Sequence, residues 1–430
     1  MIVARRRPFR LPLLAAGFLA ATIAHAAAET RSVAPGTALQ PVLDAAAPGD
    51  VIRLEAGDHA GPVVIDTPIV LEGADGAVLT GPGKGSVISV MVPDVTVRGL
   101  TIRGSGDRLH EMDSGVFVDK AADRALIESS RLEGNLFGVY LWGPEDAIVR
   151  GNVVRGRQEH VMSEAGSGVR VFNAPGSQVI GNDIRFGADG IFVNTSKRNV
   201  FRDNTLRDLR FAIHYMYTND SEVSGNLSIG NHVGYALMYS HRLKVRGNRS
   251  EGDRDHGLMF NYANRSEIEG NVVRDGRDKC VFIYNANHNR FVGNYFEGCE
   301  IGIHFTAGSE ANEISGNAFI ANRTQVKYVG TRFVDWSAEG QGNYWSDNTA
   351  FDLDGDGIAD APYRPNDVVD QVLWRNPMAK LLVTSPAVQT IRWAQSQLPA
   401  VQPGGVVDSA PLMQPPPIPE PAAALAEDAL

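Results

Sequence analysis

The chain has 430 residues, 43% of them hydrophobic and 21% charged, with a formal net charge of -10 at pH 7. That composition supports a large core and is too acidic for a nucleic-acid surface, so nucleic acid is set aside as a partner. The 45 glycines suit a chain made of turns.

Residues 1–26 have the layout of a signal peptide. Arg5, Arg6, Arg7 and Arg10 form a charged start, Leu11 to Ile23 an apolar run, and Ala24-His25-Ala26 a cleavage site. Arg6-Arg7-Pro8-Phe9 faintly resembles a twin-arginine signal, with Pro8 and Arg10 against it. No later stretch is apolar and long enough to cross a bilayer. The expectation is an exported protein that meets membrane only through a partner.

Ala38 to Ala46 predicts a short helix ending at Pro48-Gly49, just before the strand Val51 to Leu54. A helix there would cover the open end of a stack of strands. An Asn position then recurs. Leu100 and Ser130 hold it first, followed by Asn152, Asn182, Asn204, Asn226, Asn248, Asn271, Asn294, Asn317 and Asn343. The repeat is plainest from Arg210 to Asn271: RFAIHYMYTNDSEVSGN, HVGYALMYSHRLKVRGN and DHGLMFNYANRSEIEGN. Each turn has a small residue (Ala212, Gly234, Gly257), a short apolar strand, a polar bend, a second strand and the Asn. A period of 22 to 23 residues with short strands is the signature of a parallel β-helix, one rung per repeat, stacked at about 4.8 Å. The fold class is all-β, with the solenoid over residues 27–348. Stacked Asn side chains at a bend would bond along the stack, a structural ladder, and Asn itself tolerates the left-handed backbone of a bend.

Counted from the small residue, positions +1 and +3 are apolar: Ile213 and Tyr215, Tyr235 and Leu237, Leu258 and Phe260. They predict the core. Positions +2 and +4 should then be exposed through at least eight rungs from Gly115. They hold His214 and Met216, Ala236 and Met238, Met259 and Asn261, Phe282 and Tyr284, His304 and Thr306. An outward stripe of Met, His and aromatic residues marks a binding surface. Two rungs carry inserted loops just before the small residue. One holds His110-Glu111-Met112, the other His160-Val161-Met162. With His214-Tyr215-Met216 these make three His-x-Met pairs, against about 0.2 expected by chance from 10 His and 9 Met.

Cys280 occupies a small-residue position, and Cys299 lies three residues before the next one. One rung plus three extended residues separates them by roughly 10 Å, which argues against a disulfide unless the chain bends. Residues 349–398 form an extension. Asp352, Asp354, Asp356, Gly357 and Asp360 match positions of a calcium loop, but position 12 is Tyr363 in place of the bidentate Glu. Calcium and a plain Asp/Gly-rich turn fit equally. Helices are expected near Val368 to Trp374 and Val388 to Gln397. The Pro-rich tail, 399–430, predicts disorder.

Thioether and imidazole ligands suit copper, above all Cu(I). Met216 and Met238 share one column on adjacent rungs. His214 and Met259 share another, with small Ala236 between them, so four soft ligands border a gap. His110, Met112, His160 and Met162 are further candidates from the loops. A single Met or His would be packing; the set points to metal. His232, His241, His256 and His288 sit at bends and are taken as surface residues. A carbohydrate-active protein is the alternative, with Phe117, Tyr140, Trp142, Phe172, Phe192, Phe282 and Tyr284 as sugar platforms. It lacks a carboxylate pair, since Asp119 and Arg170 are the only charged members of the outward columns between Phe117 and Thr306. A passive protein-docking scaffold is a third reading.

FAIHYMYTNDSEVSGN, GYALMYS, FIYNAN, GIHFTAGSE, QVKYVGTR and NYWSDN resemble the NosD family of periplasmic copper-processing proteins, over about Val51 to Val407. The resemblance implies a right-handed β-helix and a non-enzymatic role in the maturation of nitrous oxide reductase. It implies association with the ATPase and membrane subunits of an ABC transporter. It also implies copper receipt from a periplasmic lipoprotein chaperone and delivery to the reductase. The apolar segments Val368 to Trp374 and Val388 to Trp393 have no rung to pack into and are expected to dock on the membrane subunit.

Overall fold

A computed structural model describes residues 28–158, 161–306, 308–330, 332–366, 368–382, 385–397 and 405–418. The leader, residues 1–26, lies outside these. Three parallel sheets of 13, 12 and 13 strands run the length of the solenoid. A typical rung contributes Leu227–Ile229, Val233–Met238 and Lys244–Arg246, one strand to each sheet. The 12-stranded sheet carries the small-residue position and is called the site sheet here. Its strands are the longest, reaching nine residues at Asp189–Lys197 and Phe211–Asn219.

Positions +1 and +3 are buried in every rung from Val116 and Val118 to Val326 and Tyr328. The small residue also points inward. A Cβ on Gly190 would meet Leu206 Cδ2 at 2.4 Å, and one on Gly257 would meet Val273 Cγ1 at 2.4 Å. Two inward residues in succession break the alternation, so the residue before the small one faces outward beside +2 and +4. The exposure expected at +2 fails at Tyr140, His214 and Ala236, which are outward yet buried. The cause is the composition of the stripe. Its aromatic and imidazole rings pack on one another and on the column before the small residue, closing the outer face over itself.

The asparagine ladder forms as expected. The Asn204 backbone N–H donates to Asn226 Oδ1 at 3.0 Å, and Asn204 Nδ2 donates to the same atom at 2.9 Å. The pattern repeats rung by rung to Asn317 and Asn343. From Asn152 to Asn317 the left-handed residue is the one before the Asn, as at Gly225 (φ 63°) and Asp203 (φ 57°), and not the Asn itself.

Both ends are closed by side chains standing in for a missing rung. Helix α1, Leu39–Asp44, buries Leu39 and Leu43 over the first rungs. Its Gln40 amide bonds both the C=O (3.0 Å) and the N–H (2.8 Å) of Val64 on the edge strand Val63–Ile65. At the far end, residues 405–418 are ordered, contrary to the expected disordered tail. Val406–Val407 pairs with Val334–Asp335. Asp408 is fully buried and accepts from the Asn343 backbone N–H (2.7 Å) and Trp345 Nε1 (2.7 Å), so a carboxylate ends the ladder. Polar, Pro-rich composition hid this because a cap needs only a few anchoring residues. In chain order, α2, Val368–Arg375, and α3, Pro386–Gln397, come between the last rung and this cap.

Cys280 and Cys299 form a disulfide, with Cα atoms 5.7 Å apart. The extended spacing assumed from the sequence does not hold. Gly298 (φ 72°) turns the chain immediately before Cys299 and brings it over the buried Cys280.

Candidate metal site

The site begins at His214. The residue is 7% exposed, and its ring stacks on Phe192 of the preceding rung (centroids 4.6 Å) and edge-on to Phe211 (4.7 Å). Asp189, 1% exposed, lies one position before the small residue Gly190. It accepts the His214 Nδ1 at 3.0 Å. The same carboxylate takes a two-pronged bond from Arg210, at 3.0 and 2.9 Å. A carboxylate can only accept, so Nδ1 carries the proton. In the neutral ring the lone pair then sits on Nε2, which is buried without a hydrogen-bond partner. An imidazole held in this tautomer by a carboxylate turns the Nε2 lone pair away from the clamp, the orientation a metal ligand needs.

The neighbouring rungs supply sulfur. Met216 pairs in register with Met238, and His214 pairs with Ala236, which pairs in turn with Met259. All three Met residues are partly exposed on the outer face. The register thus gathers His214, Met216, Met238 and Met259 around Ala236, as the sequence predicts.

Of the loop candidates, His110, Met112 and Met162 do not join them. Met112 packs against Leu136, Phe137 and Tyr140, three rungs away. His110 is exposed, beside Glu111 at 3.7 Å. Met162 lines a corner cavity with Arg157, Ala165, Phe186 and Asp208. His160 lies outside the described residues. In the extension, carboxylate oxygens of Asp352, Asp354 and Asp356 come within 4.8 Å of one another. Asp360 stands apart from that group and accepts the Leu353 N–H at 2.9 Å. Tyr363 donates to Asp347 at 2.8 Å.

A family model described as "Periplasmic copper-binding protein (NosD)" matches residues 150–350. A probable ABC transporter binding protein NosD from Stutzerimonas stutzeri is 42% identical over 376 residues, covering 84% of this chain and 86% of the relative. The chain belongs to the NosD family. A second NosD relative, from Pseudomonas aeruginosa, shares 42% identity over 376 residues, 84% of this chain and 88% of its own. The NosD β-helix has wider structural likenesses. A mannuronic acid specific family 6 lyase from human gut microbiota superposes with TM-score 0.56 at 13% identity, covering 74% of this chain and 86% of its own. The surface adhesin PfbA of Streptococcus pneumoniae does so with TM-score 0.54 at 9% identity, covering 70% and 89%. At such identities the likeness is one of fold alone, and a fold shared by a lyase and an adhesin leaves function to the site.

On this NosD-family sheet, two features escaped the sequence reading. Asp189 was invisible because strict alternation points it inward. His256, taken as a surface residue, belongs to the stripe, with its ring 5.2 Å from Phe282, which lies 5.0 Å from His304. Burial, helped by Lys327 and Lys279, pushes His304 down to about 4, and burial lowers His256 too. A chemically mixed column (Ser167, Asp189, Phe211, Val233, His256, Lys279) was the available signal that the position faces out.

Proposed function

We propose that this chain is a periplasmic copper-binding and delivery protein, not an enzyme, that takes Cu(I) on the His214, Met216, Met238 and Met259 face. It works beside an ABC transporter, its ATPase and membrane subunits included, receives copper from a lipoprotein chaperone and passes it to nitrous oxide reductase. The observation that carries the reading is the buried, unpartnered Nε2 of His214, held by Asp189 beside a register-paired methionine column. Soft sulfur with one imidazole favours Cu(I) over harder ions. Membership in a family described as copper-binding supports the metal, and the names of the relatives support the transporter.

The polysaccharide reading has weaker support. Of the aromatic residues weighed as sugar platforms, Phe192 is stacked by His214 (4.6 Å) and covered by Arg170 (4.4 Å), and Tyr140 is buried, so these faces are not free for sugar rings. The buried outward carboxylate, Asp189, is already engaged by Arg210 and His214.

The test is the double variant Met216→Leu/Met238→Leu, which nearly conserves volume. Folding should hold while Cu(I) affinity falls, and X-ray absorption should lose sulfur neighbours. In cells the reductase should be exported and folded but short of copper. Wild-type Cu(I) binding by the double variant would remove this site.

A further inference from the structure

We infer that Asp189 and Arg210 form a clamp that sets the tautomer and ring angle of His214 for metal. The inference rests on the copper reading above and adds the residues that make the imidazole a ligand. Asp189 reaches His214 across one rung, because the bulge at Gly190 turns the preceding side chain to the outer face. Two interactions restrict the carboxylate itself. Arg210 grips both of its oxygens, and Arg210 lies over the ring of Phe211 at 4.7 Å. Phe211 in turn meets the edge of His214, so guanidinium, phenyl ring, carboxylate and imidazole form one closed circuit on two adjacent rungs.

Each member has a stated effect. The carboxylate accepts Nδ1–H, which leaves the lone pair on Nε2 and raises its basicity toward a metal. The Arg210 fork keeps the carboxylate from rotating and offsets its charge, which a buried Asp requires. Phe192 and Phe211 fix the ring plane. Without the clamp a neutral histidine would share its proton between two nitrogens and pivot about its side-chain bond. His256 and His304 also lie on this face with buried, unpartnered Nδ1 atoms, but among the described residues no carboxylate is bonded to either ring. The clamp therefore distinguishes His214 among the stripe histidines.

Asp189 is a positioning residue, and its test separates position from stability. In the apo protein with ¹⁵N-labelled histidine, long-range nitrogen–proton NMR should show His214 as the Nδ1–H tautomer, with the signal assigned by its loss in His214→Gln. Asp189→Asn should admit the Nε2–H tautomer and lower Cu(I) affinity about tenfold or more. Arg210→Lys, which keeps a cation, should fall between the two. An Nε2–H tautomer in the wild-type chain overturns the inference, even if Asp189→Asn fails to fold. So does unchanged Cu(I) affinity in a folded Asp189→Asn protein. A wild-type chain that shows the Nδ1–H tautomer but takes up no Cu(I) overturns the copper reading instead, and leaves the tautomer assignment standing.

Discussion

Burial moves Asp253 and His304 toward their neutral forms, and the two pull stability in opposite directions with pH. Asp253 is fully buried among Ser228, Ser250 and Asn231, and desolvation raises it to about 6. Its folded value exceeds the unfolded one. Its favourable contribution is therefore complete below the unfolded pKa of 3.8 and is lost as pH rises through about 6. Asp253→Asn should remove a pH-dependent swing of about 3 kcal/mol across that window, read from urea midpoints at pH 4 and pH 7. His304 has the reverse sign. Its folded value of about 4 lies below the ordinary 6.5, so its contribution is present above 6.5 and lost as pH falls through 4. His304→Gln should flatten the acid side of the stability curve, and a profile unchanged from wild type would show that the ring is not desolvated in solution.

At the level of rungs and sheets, most of the fold was legible, because a rung of fixed length repeats its chemistry. The recurring Asn announced the ladder, but the left-handed residue sits one position earlier than expected. The core columns followed from apolar residues at +1 and +3. What failed were departures from ideal strands. The bulge at the small residue hid Asp189, and the bend at Gly298 hid the disulfide. The register that sets His214, Met216, Met238 and Met259 around Ala236 was legible because it follows from the repeat alone, whereas the places of His110, Met112 and Met162 were not, because nothing periodic governs a loop. The ladder can be tested at one rung. Asn248 Nδ2 donates to Val223 C=O and Asn271 Oδ1, while its Oδ1 accepts from Asn226. Asn248→Ala orphans buried groups on both sides and should cost about 2–4 kcal/mol by chemical denaturation. Cys280→Ala/Cys299→Ala opens a loop with a sequence separation of 19 and should cost about 3 kcal/mol.

For the molecule as a whole, the cap at 405–418 changes how partner docking must be tested. Cutting the chain after Thr384 would remove α3, but it would also strip Asp408 from Asn343 and Trp345. Truncation at residue 404 should therefore lower the unfolding midpoint and expose Trp336 and Trp345, seen as a red shift in tryptophan emission. Transporter docking is better probed by surface change. Within the segments expected to dock, Val372 and Ile391 are 46% and 49% exposed, so Val372→Glu/Ile391→Glu should leave the β-helix intact. It should weaken co-purification with the membrane subunit; undiminished recovery would move the docking face elsewhere.

The placement of that cap also has a consequence in time. The helix over the first rungs is synthesised before them, so the leading edge is covered from the outset. The trailing edge is closed by Val406–Val407 and Asp408, which leave the ribosome after every rung has been made. Until they arrive, the growing solenoid ends in a row of unpaired strand edges and an unfinished column of amides, a surface that sticks to its own kind. Closure is thus a completion signal. A full-length chain seals itself, and one broken off early remains open to proteases and to other unfinished copies.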